Sequence, residues 1–477
     1  MKKFIAVDIG ASSGRLIESY IENRKIQMKE LYRFKNNFSL NGKYERWDIE
    51  YLVEEILNGL TIAKDKGITE AFVGFDTWAV DYCLLDNQGK LISQPIAYRD
   101  TRTESAVSEF QRKMDLDKLY EKTGIQIQSF NTLFQLFVEE KEKIKQAKTL
   151  LLIPDYLGYV FTGKMVTEKT NASTMQLLNT KTRTWDKKLL DILGISEKIF
   201  PPLVDPGSIL GTLIKEKFPT YDLPDVTFLN VASHDTASAV LGTPGNGKNW
   251  AYISSGTWSL LGLETESFNL TKEAFLSNYT NEWGANNTVR FLKNIMGMWL
   301  IQEVARLQDY QYSYIQLAEM AETVPSFQQF IDINDPRFLN PKNMIQELQK
   351  YCRETNQIIP KTPAEIARCI FDNLALCYGK ELKQLEKLSK EKIQKLHIVG
   401  GGSNNQLLNQ LTADITGIEV VAGPSEATTI GNIIMQMLAI KEFDSFKAAR
   451  QCVQDSFVLH FYQPQAIRQK ALKNINE

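Results

Sequence analysis

The fold turns on residues 4–15, which read Phe4-Ile5-Ala6-Val7-Asp8-Ile9-Gly10-Ala11-Ser12-Ser13-Gly14-Arg15. An apolar run ends at an acid and passes into small residues. This predicts a strand over 4–7, a turn through 8–14 and a second strand from Arg15. Glycines and serines in such a turn let backbone N–H groups approach phosphate oxygens closely. Arg15 adds a planar donor fork suited to phosphate. Asp8 is placed to hold a hydrated Mg²⁺ beside the phosphates. Taken alone, a plain hairpin turn with a capping Asp reads equally well.

The pattern returns near the middle of the chain. Residues 250–253 read as a strand, Ser254-Ser255-Gly256-Thr257 as a turn, and 258–263 as a second strand. Two β-turn-β units about half a chain apart predict a duplicated architecture. Between them lies Gly242-Thr243-Pro244-Gly245-Asn246-Gly247-Lys248, the densest Gly/Pro cluster in the sequence. It sets the expected domain boundary, giving domains 1–243 and 244–477. A chain of 477 residues is too long for one ordinary core and suits two.

Composition narrows the function classes. With 43% hydrophobic and 23% charged residues the chain reads as an ordinary globular protein. A net charge of −2 recommends no nucleic-acid partner. No apolar run is long enough for a secretory signal or a membrane span, so the expected location is the cytoplasm. Five scattered cysteines form no disulfide framework, and three histidines exclude a His-rich metal site.

Strands alternating with helices in the first half predict an α/β sheet. Strands are expected at 72–75, 80–85, 150–153 (stopped by Pro154) and 226–232. The second half is more helical. Thr362-Pro363-Ala364-Glu365 is a strong helix start. A strand over 396–399 then leads through Gly400-Gly401-Gly402 into a helix that Gly417 closes. That glycine run lacks the G-x-G-x-x-G spacing and reads as a seat for a nucleotide base or ribose. Ser233-His234-Asp235-Thr236 ends a buried strand, where ligands of α/β sheets gather. Asp235 is placed there to accept the proton of an attacking hydroxyl, with His234 orienting the substrate. An N-cap role for Asp235 is the plainer alternative. Gly158-x4-Gly163-Lys164 imitates a phosphate loop but has Met165 where Ser or Thr is required, so it receives no nucleotide role.

These four constellations, in this order, resemble the FGGY carbohydrate kinases over most of the chain. Supporting strings are Gly74-Phe75-Asp76-Thr77-Trp78-Ala79-Val80-Asp81, Tyr98-Arg99-Asp100-Thr101-Arg102, Phe130-Asn131-Thr132-Leu133, Pro154-Asp155-Tyr156, Thr170-Asn171-Ala172-Ser173, Leu292-Lys293-Asn294-Ile295-Met296-Gly297 and Asp335-Pro336-Arg337-Phe338. The resemblance implies an α/β fold of two actin-like (ribonuclease H-like) ATPase domains with a cleft between them. It implies ATP and Mg²⁺ as cofactors and a small-molecule sugar as substrate. The likeness is greatest to members acting on L-rhamnulose, which implies transfer to its O1 in L-rhamnose degradation. On that resemblance Asp235 is the base. Ala79, His234, Thr236 and Asn294 contact the sugar. Ala11, Ser12, Ser13, Gly14 and Arg15 wrap the ATP phosphates, and Thr257, Gln302 and Gly401 contact the nucleotide. Ala79 stands where family members often carry Gly. Gly431-Asn432, after Ala427-Thr428-Thr429-Ile430, departs from a common Gly-Ala-Ala run and bears on the shape of the base pocket. The alternatives are a kinase for fuculose or xylulose and an actin-like ATPase serving as chaperone or regulator.

Overall fold

The computed structural model describes residues 1–465. It resolves into two compact units that are not consecutive halves of the chain. The first comprises Met1–Gly242, Glu264–Phe291 and Thr428–Ser456; the second comprises Thr243–Leu263, Leu292–Ala427 and the segment from Phe457.

In the first unit, β1 (Phe4–Ile9) is buried at every residue, as a central strand covered on both faces must be. It pairs antiparallel with β2 (Ser13–Glu22), which pairs antiparallel with β3 (Lys25–Lys35). On its other side β1 runs parallel to β4 (Glu70–Thr77). Helix α1 (Ile49–Asp65) makes the crossover from the hairpin region to β4 and is capped by Asp48, which accepts from Tyr51 N. β5 (Ser208–Thr212) and β6 (Asp225–Asn230) complete a sheet of order β3-β2-β1-β4-β6-β5, with β6 parallel to β4 and β5 antiparallel to β6. Helix α2 (Asp235–Leu241) follows β6.

In the second unit, β7 (Trp250–Ser255) and β8 (Trp258–Thr265) form the second hairpin. With β9 (Val289–Met296), β10 (Lys395–Val399), β11 (Glu419–Ala422) and β12 (His460–Tyr462) they run in the order β9-β8-β7-β10-β11-β12. β10 is parallel to β7, β11 is parallel to β10, and β12 is antiparallel to β11. Both sheets thus contain a hairpin flanked by a further strand, two parallel strands and an antiparallel edge strand in matching order, and the second also carries the strand Thr280–Trp283 beside β9. Helix α3 (Trp299–Leu307) follows β9. Helix α4 (Pro363–Ser389) starts with the capping box of Thr362 and Glu365. Helix α5 (Gln406–Thr416) ends at Gly417 with φ +72°, the left-handed geometry glycine accepts most readily. Helix α6 (Ala427–Ala439) lies almost wholly in the first unit.

Several local expectations are corrected. Asp8 lies inside β1, and the turn spans only residues 10–12. The strand expected over 80–85 is Tyr82–Leu85, because Val80 takes φ +68°. Pro154 does not only stop a strand: it occupies the first turn of helix Ile153–Thr162, where its missing N–H costs nothing. Gly158 is inside that helix, so the imitation phosphate loop is no loop. All five cysteines are free thiols. No helix among the described residues is long and apolar enough to cross a membrane.

Candidate active site

The carboxyl ends of the parallel strands β1, β4 and β6 bring the first set of candidates together. Thr77 N donates to Ser233 O at 2.9 Å, and Thr77 bridges to His234 in parallel register. The segment carrying Ala79 therefore lies against the segment carrying His234, Asp235 and Thr236. His234 is the N-cap of α2, so Asp235 is the first residue of the helix rather than its cap. Thr236 N and Oγ1 donate to Asp235 Oδ1 at 2.5 and 3.1 Å, and His234 Nε2 stands 3.3 Å from the same oxygen. The Asp235 side chain keeps 36% of its area exposed. Burial of the rest pushes its carboxyl above the usual range, with His234 and Thr236 pulling the other way.

The loop before Asp235 is held from below by Glu168. This buried carboxylate accepts from Ser233 N (3.1 Å) and Oγ (2.8 Å), and from Thr170 N (2.8 Å) and Asn171 N (3.1 Å). Burial holds its carboxyl above the ordinary range despite these donors. Ala79 is half-buried between two constrained neighbours. Asp81 Oδ2 accepts from Trp47 Nε1 (2.7 Å), Trp78 Nε1 (2.9 Å) and Tyr98 N (3.1 Å), and Oδ1 from Gln135 Nε2 (3.0 Å). Val80 O accepts from Thr132 Oγ1 at 2.6 Å, which pins a β-branched residue in the left-handed region.

Asp8 and Arg15 are register partners across the hairpin, and Arg15 Nη2 donates to Asp8 Oδ2 at 2.9 Å. Thr429 Oγ1 joins them, donating to Asp8 Oδ2 at 2.6 Å. Part of the Arg15 fork is thus already spent on Asp8. The turn itself is tight, with Gly10 N donating to Ser13 O, and Asn36 Nδ2 donates to Gly10 O. Ser12 is exposed, Ala11 and Ser13 half-buried. Gly14 serves packing: a Cβ there would lie 2.1 Å from the Phe34 ring.

Asp76, the register partner of Asp8 on β4, is fully buried. Its Oδ2 accepts from Asn432 Nδ2 at 2.6 Å, while its Oδ1 has no hydrogen-bond partner. Burial, reinforced by the neighbouring Asp8, raises its carboxyl well above the usual range. Two adjacent hard carboxylates, one with an orphaned oxygen, fit a hydrated divalent cation that takes most of its ligands from water and phosphate. No group of three His, Cys, Asp or Glu side chains among the described residues forms a self-sufficient metal cage.

In the second unit, Thr257 Oγ1 stands 3.4 Å from Gln302 Oε1, and the N–H groups of Met298 and Trp299 donate to the carbonyls of Gly256 and Thr257. The glycine run packs on the same hairpin. A Cβ at Gly402 would lie 2.0 Å from Ser255 Oγ, whereas one at Gly401 would meet nothing within 4 Å. Thr257, Gln302 and Gly401 thus cluster around one turn. Asn294 sits half-buried on β9, next to Lys293, which pairs with Glu381 at 2.9 Å.

Sequence reasoning gave no role to Glu168, Asp76, Glu282 and Arg290. The last two flank His234, with Arg290 Nη2 3.2 Å and Glu282 Oε2 3.4 Å from Nδ1. Their only signal is polarity in otherwise buried stretches. The Gly431-Asn432 pair, read as bearing on a base pocket, does structural work in the first unit. A Cβ at Gly431 would lie 1.8 Å from Ser238 O, and Asn432 bonds Gly74 O and Asp76.

Comparison with known proteins shows the family of the chain. Residues 3–242 match the model of the FGGY family of carbohydrate kinases, N-terminal domain, and residues 251–440 match that of its C-terminal domain. A rhamnulokinase of Enterococcus faecalis is 62% identical over 469 residues, covering 98% of this chain and 95% of that protein. One from Bacillus subtilis is 50% identical over 464 residues, covering 97% and 96%. Among solved structures, a ligand-bound xylulose kinase from Lactobacillus acidophilus aligns with TM-score 0.82 at 17% identity, covering 100% of this chain and 96% of that one. A glycerol kinase from Plasmodium falciparum with ADP aligns with TM-score 0.76 at 18% identity, covering 100% and 97%. At such identities the structures speak to the fold alone.

Proposed function

Because this chain belongs to the FGGY family of carbohydrate kinases, we propose that it transfers the γ-phosphoryl of ATP to O1 of L-rhamnulose, giving L-rhamnulose 1-phosphate and ADP. The single observation that carries the chemistry is the asymmetry of Asp235. Thr236 N, Thr236 Oγ1 and His234 Nε2 all face Oδ1, which leaves Oδ2 for the hydroxyl of a substrate. The raised affinity of this carboxyl for a proton suits a group that takes one from an alcohol as phosphorus–oxygen bonding develops. Identities of 50% and 62% to rhamnulokinases over nearly the whole chain support the choice of sugar.

Phosphoryl transfer asks the protein for positioning and charge stabilisation. Ala79, His234, Thr236 and Asn294 are assigned to the sugar. The N–H groups of Ala11, Ser12, Ser13 and Gly14, with Arg15, are assigned to the ATP phosphates, and Thr257, Gln302 and Gly401 to the nucleotide. Asp8, backed by Asp76, would hold Mg²⁺, which when bound neutralises phosphate charge. Glu168 fixes the loop that presents Asp235, and Asp81 fixes the backbone at Ala79. Of these residues, the first unit holds Ala79, His234, Thr236 and those assigned to the phosphates, and the second holds Asn294, Thr257, Gln302 and Gly401. We place the reaction in the cytoplasm, where ATP is available.

The test is turnover across a panel of L-rhamnulose, L-fuculose, D-xylulose, gluconate and glycerol, read as ADP release, with the phosphorylated carbon identified by NMR. L-Rhamnulose should give the highest kcat/KM and carry its phosphate on C1. A different best substrate would replace the sugar assignment. ADP release independent of any sugar would instead favour an actin-like ATPase.

A further inference from the structure

Behind Asp235, and outside every role assigned above, lies a buried ionic cluster made by Glu282 and Arg290. Arg290 is fully buried and Glu282 nearly so. Arg290 Nη2 stands 3.0 Å from Glu282 Oε2, and Arg290 Nε donates to Trp283 O at 3.2 Å. The strand Thr280–Trp283 is itself tied back, because Trp283 N donates to Ser173 Oγ at 3.0 Å. A buried guanidinium is retained only when its charge is balanced, and Glu282 balances this one. Burial pushes the Glu282 carboxyl up, but the Arg290 guanidinium outweighs it and holds the group below the usual range.

The pair faces one nitrogen of His234. A guanidinium carries N–H groups and no acceptor. A hydrogen bond across the 3.2 Å between Arg290 Nη2 and His234 Nδ1 requires Nδ1 to be the acceptor and to carry no hydrogen. Glu282 Oε2 lies farther off, 3.4 Å from the same nitrogen. The ring hydrogen then sits on Nε2, and the neighbour of Nε2 at 3.3 Å is Asp235 Oδ1.

We propose that Glu282 and Arg290 are positioning residues that fix His234 as the Nε2–H tautomer, so that it donates to Asp235 Oδ1 and leaves Oδ2 to take the substrate proton. The proposal rests on Asp235 being the base. Glu282 aims and neutralises the guanidinium, the guanidinium occupies Nδ1, and the imidazole orients the carboxylate. With the opposite tautomer, a bare Nε2 would face Oδ1, removing one donor and freeing the carboxylate to rotate.

Because the chain has only three histidines, ring tautomers are accessible to long-range ¹H–¹⁵N NMR on the full-length protein, with His234 assigned by the loss of its signals in His234→Asn. Wild type should show a protonated Nε2 and a bare Nδ1. The neutral double variant E282Q/R290M avoids stranding a buried charge. It should switch His234 to Nδ1–H, donating to the new amide oxygen, and lower kcat by ~10-fold or more with the KM for ATP unchanged. Arg290→Lys retains a donor and a charge, and should restore both the tautomer and most of kcat. A wild-type Nδ1–H tautomer, or a doubly protonated ring, overturns the proposal. So does a folded double variant with wild-type kcat. Should the double variant fail to fold, the wild-type and Arg290→Lys spectra still decide. The tautomer is read without turnover, so a failure of the Asp235 assignment, seen as undiminished kcat in Asp235→Asn, is distinguishable from a failure here.

Discussion

Asp235 and Arg15 carry the sharpest consequences at the scale of single residues. Asp235→Asn keeps the acceptor for Thr236 N but cannot take a proton. It should lower kcat by about 10²–10⁴-fold while the KM for ATP changes little; a variant with near-normal turnover would remove Asp235 from the mechanism. Arg15→Ala should raise the KM for ATP by roughly tenfold, the size expected for a lost charge-assisted hydrogen bond, and leave the KM for sugar unchanged. A rise confined to the sugar KM would reassign it. Asp235 was legible in the sequence because Ser233-His234-Asp235-Thr236 ends an apolar run, and strand ends are local signals. The engagement of Arg15 with Asp8 was not, because register across the hairpin decides which side chains meet.

Short elements give two further tests. The segment of residues 78–81 hangs on Asp81, whose carboxyl burial pushes up to about 6 from an ordinary 3.8, against the opposing hydrogen bonds of Gln135, Trp47 and Trp78. A raised carboxyl binds protons more tightly in the folded state, so ionisation costs stability as pH rises from 3.8 through 6. Relative to Asp81→Asn, wild type should gain about 2 kcal/mol in urea unfolding between pH 7 and pH 4.5. A pH-independent difference would show that Asp81 is not titrating as a buried acid. The second test concerns glycines that look alike in sequence. Gly431→Ala drives a methyl into Ser238 O of α2, the helix that begins at Asp235, and should destabilise by about 1–3 kcal/mol as well as lower kcat. Gly401→Ala meets nothing within 4 Å, so unfolding should shift by less than about 0.5 kcal/mol while the KM for ATP rises. Comparable stability losses in both would deny the distinction.

The whole molecule is organised by segments that return. Thr428–Ser456 comes back to the first unit, where Asn432 bonds Gly74 O, Gln436 bonds Ile5 O and Thr429 bonds Asp8. A fragment of residues 1–242 lacks α6 and would leave those backbone groups, and the surface α6 packs on, uncovered. It should show no cooperative urea transition by circular dichroism; a two-state transition like that of the intact chain would make the returning segment dispensable. The two hairpins, the capping box at Thr362, the glycine-closed helix at Gly417 and the strand-end carboxylate were determined by the sequence alone, because turns, caps and periodicities are set by neighbours a few residues apart. Tertiary structure alone decided that Asp8 meets Thr429 across 421 positions, Asp76 meets Asn432 across 356, and Arg290 reaches His234 across 56. Buried polar groups must find partners, and once the chain is compact those partners are chosen by proximity in space, which no local pattern of residues encodes.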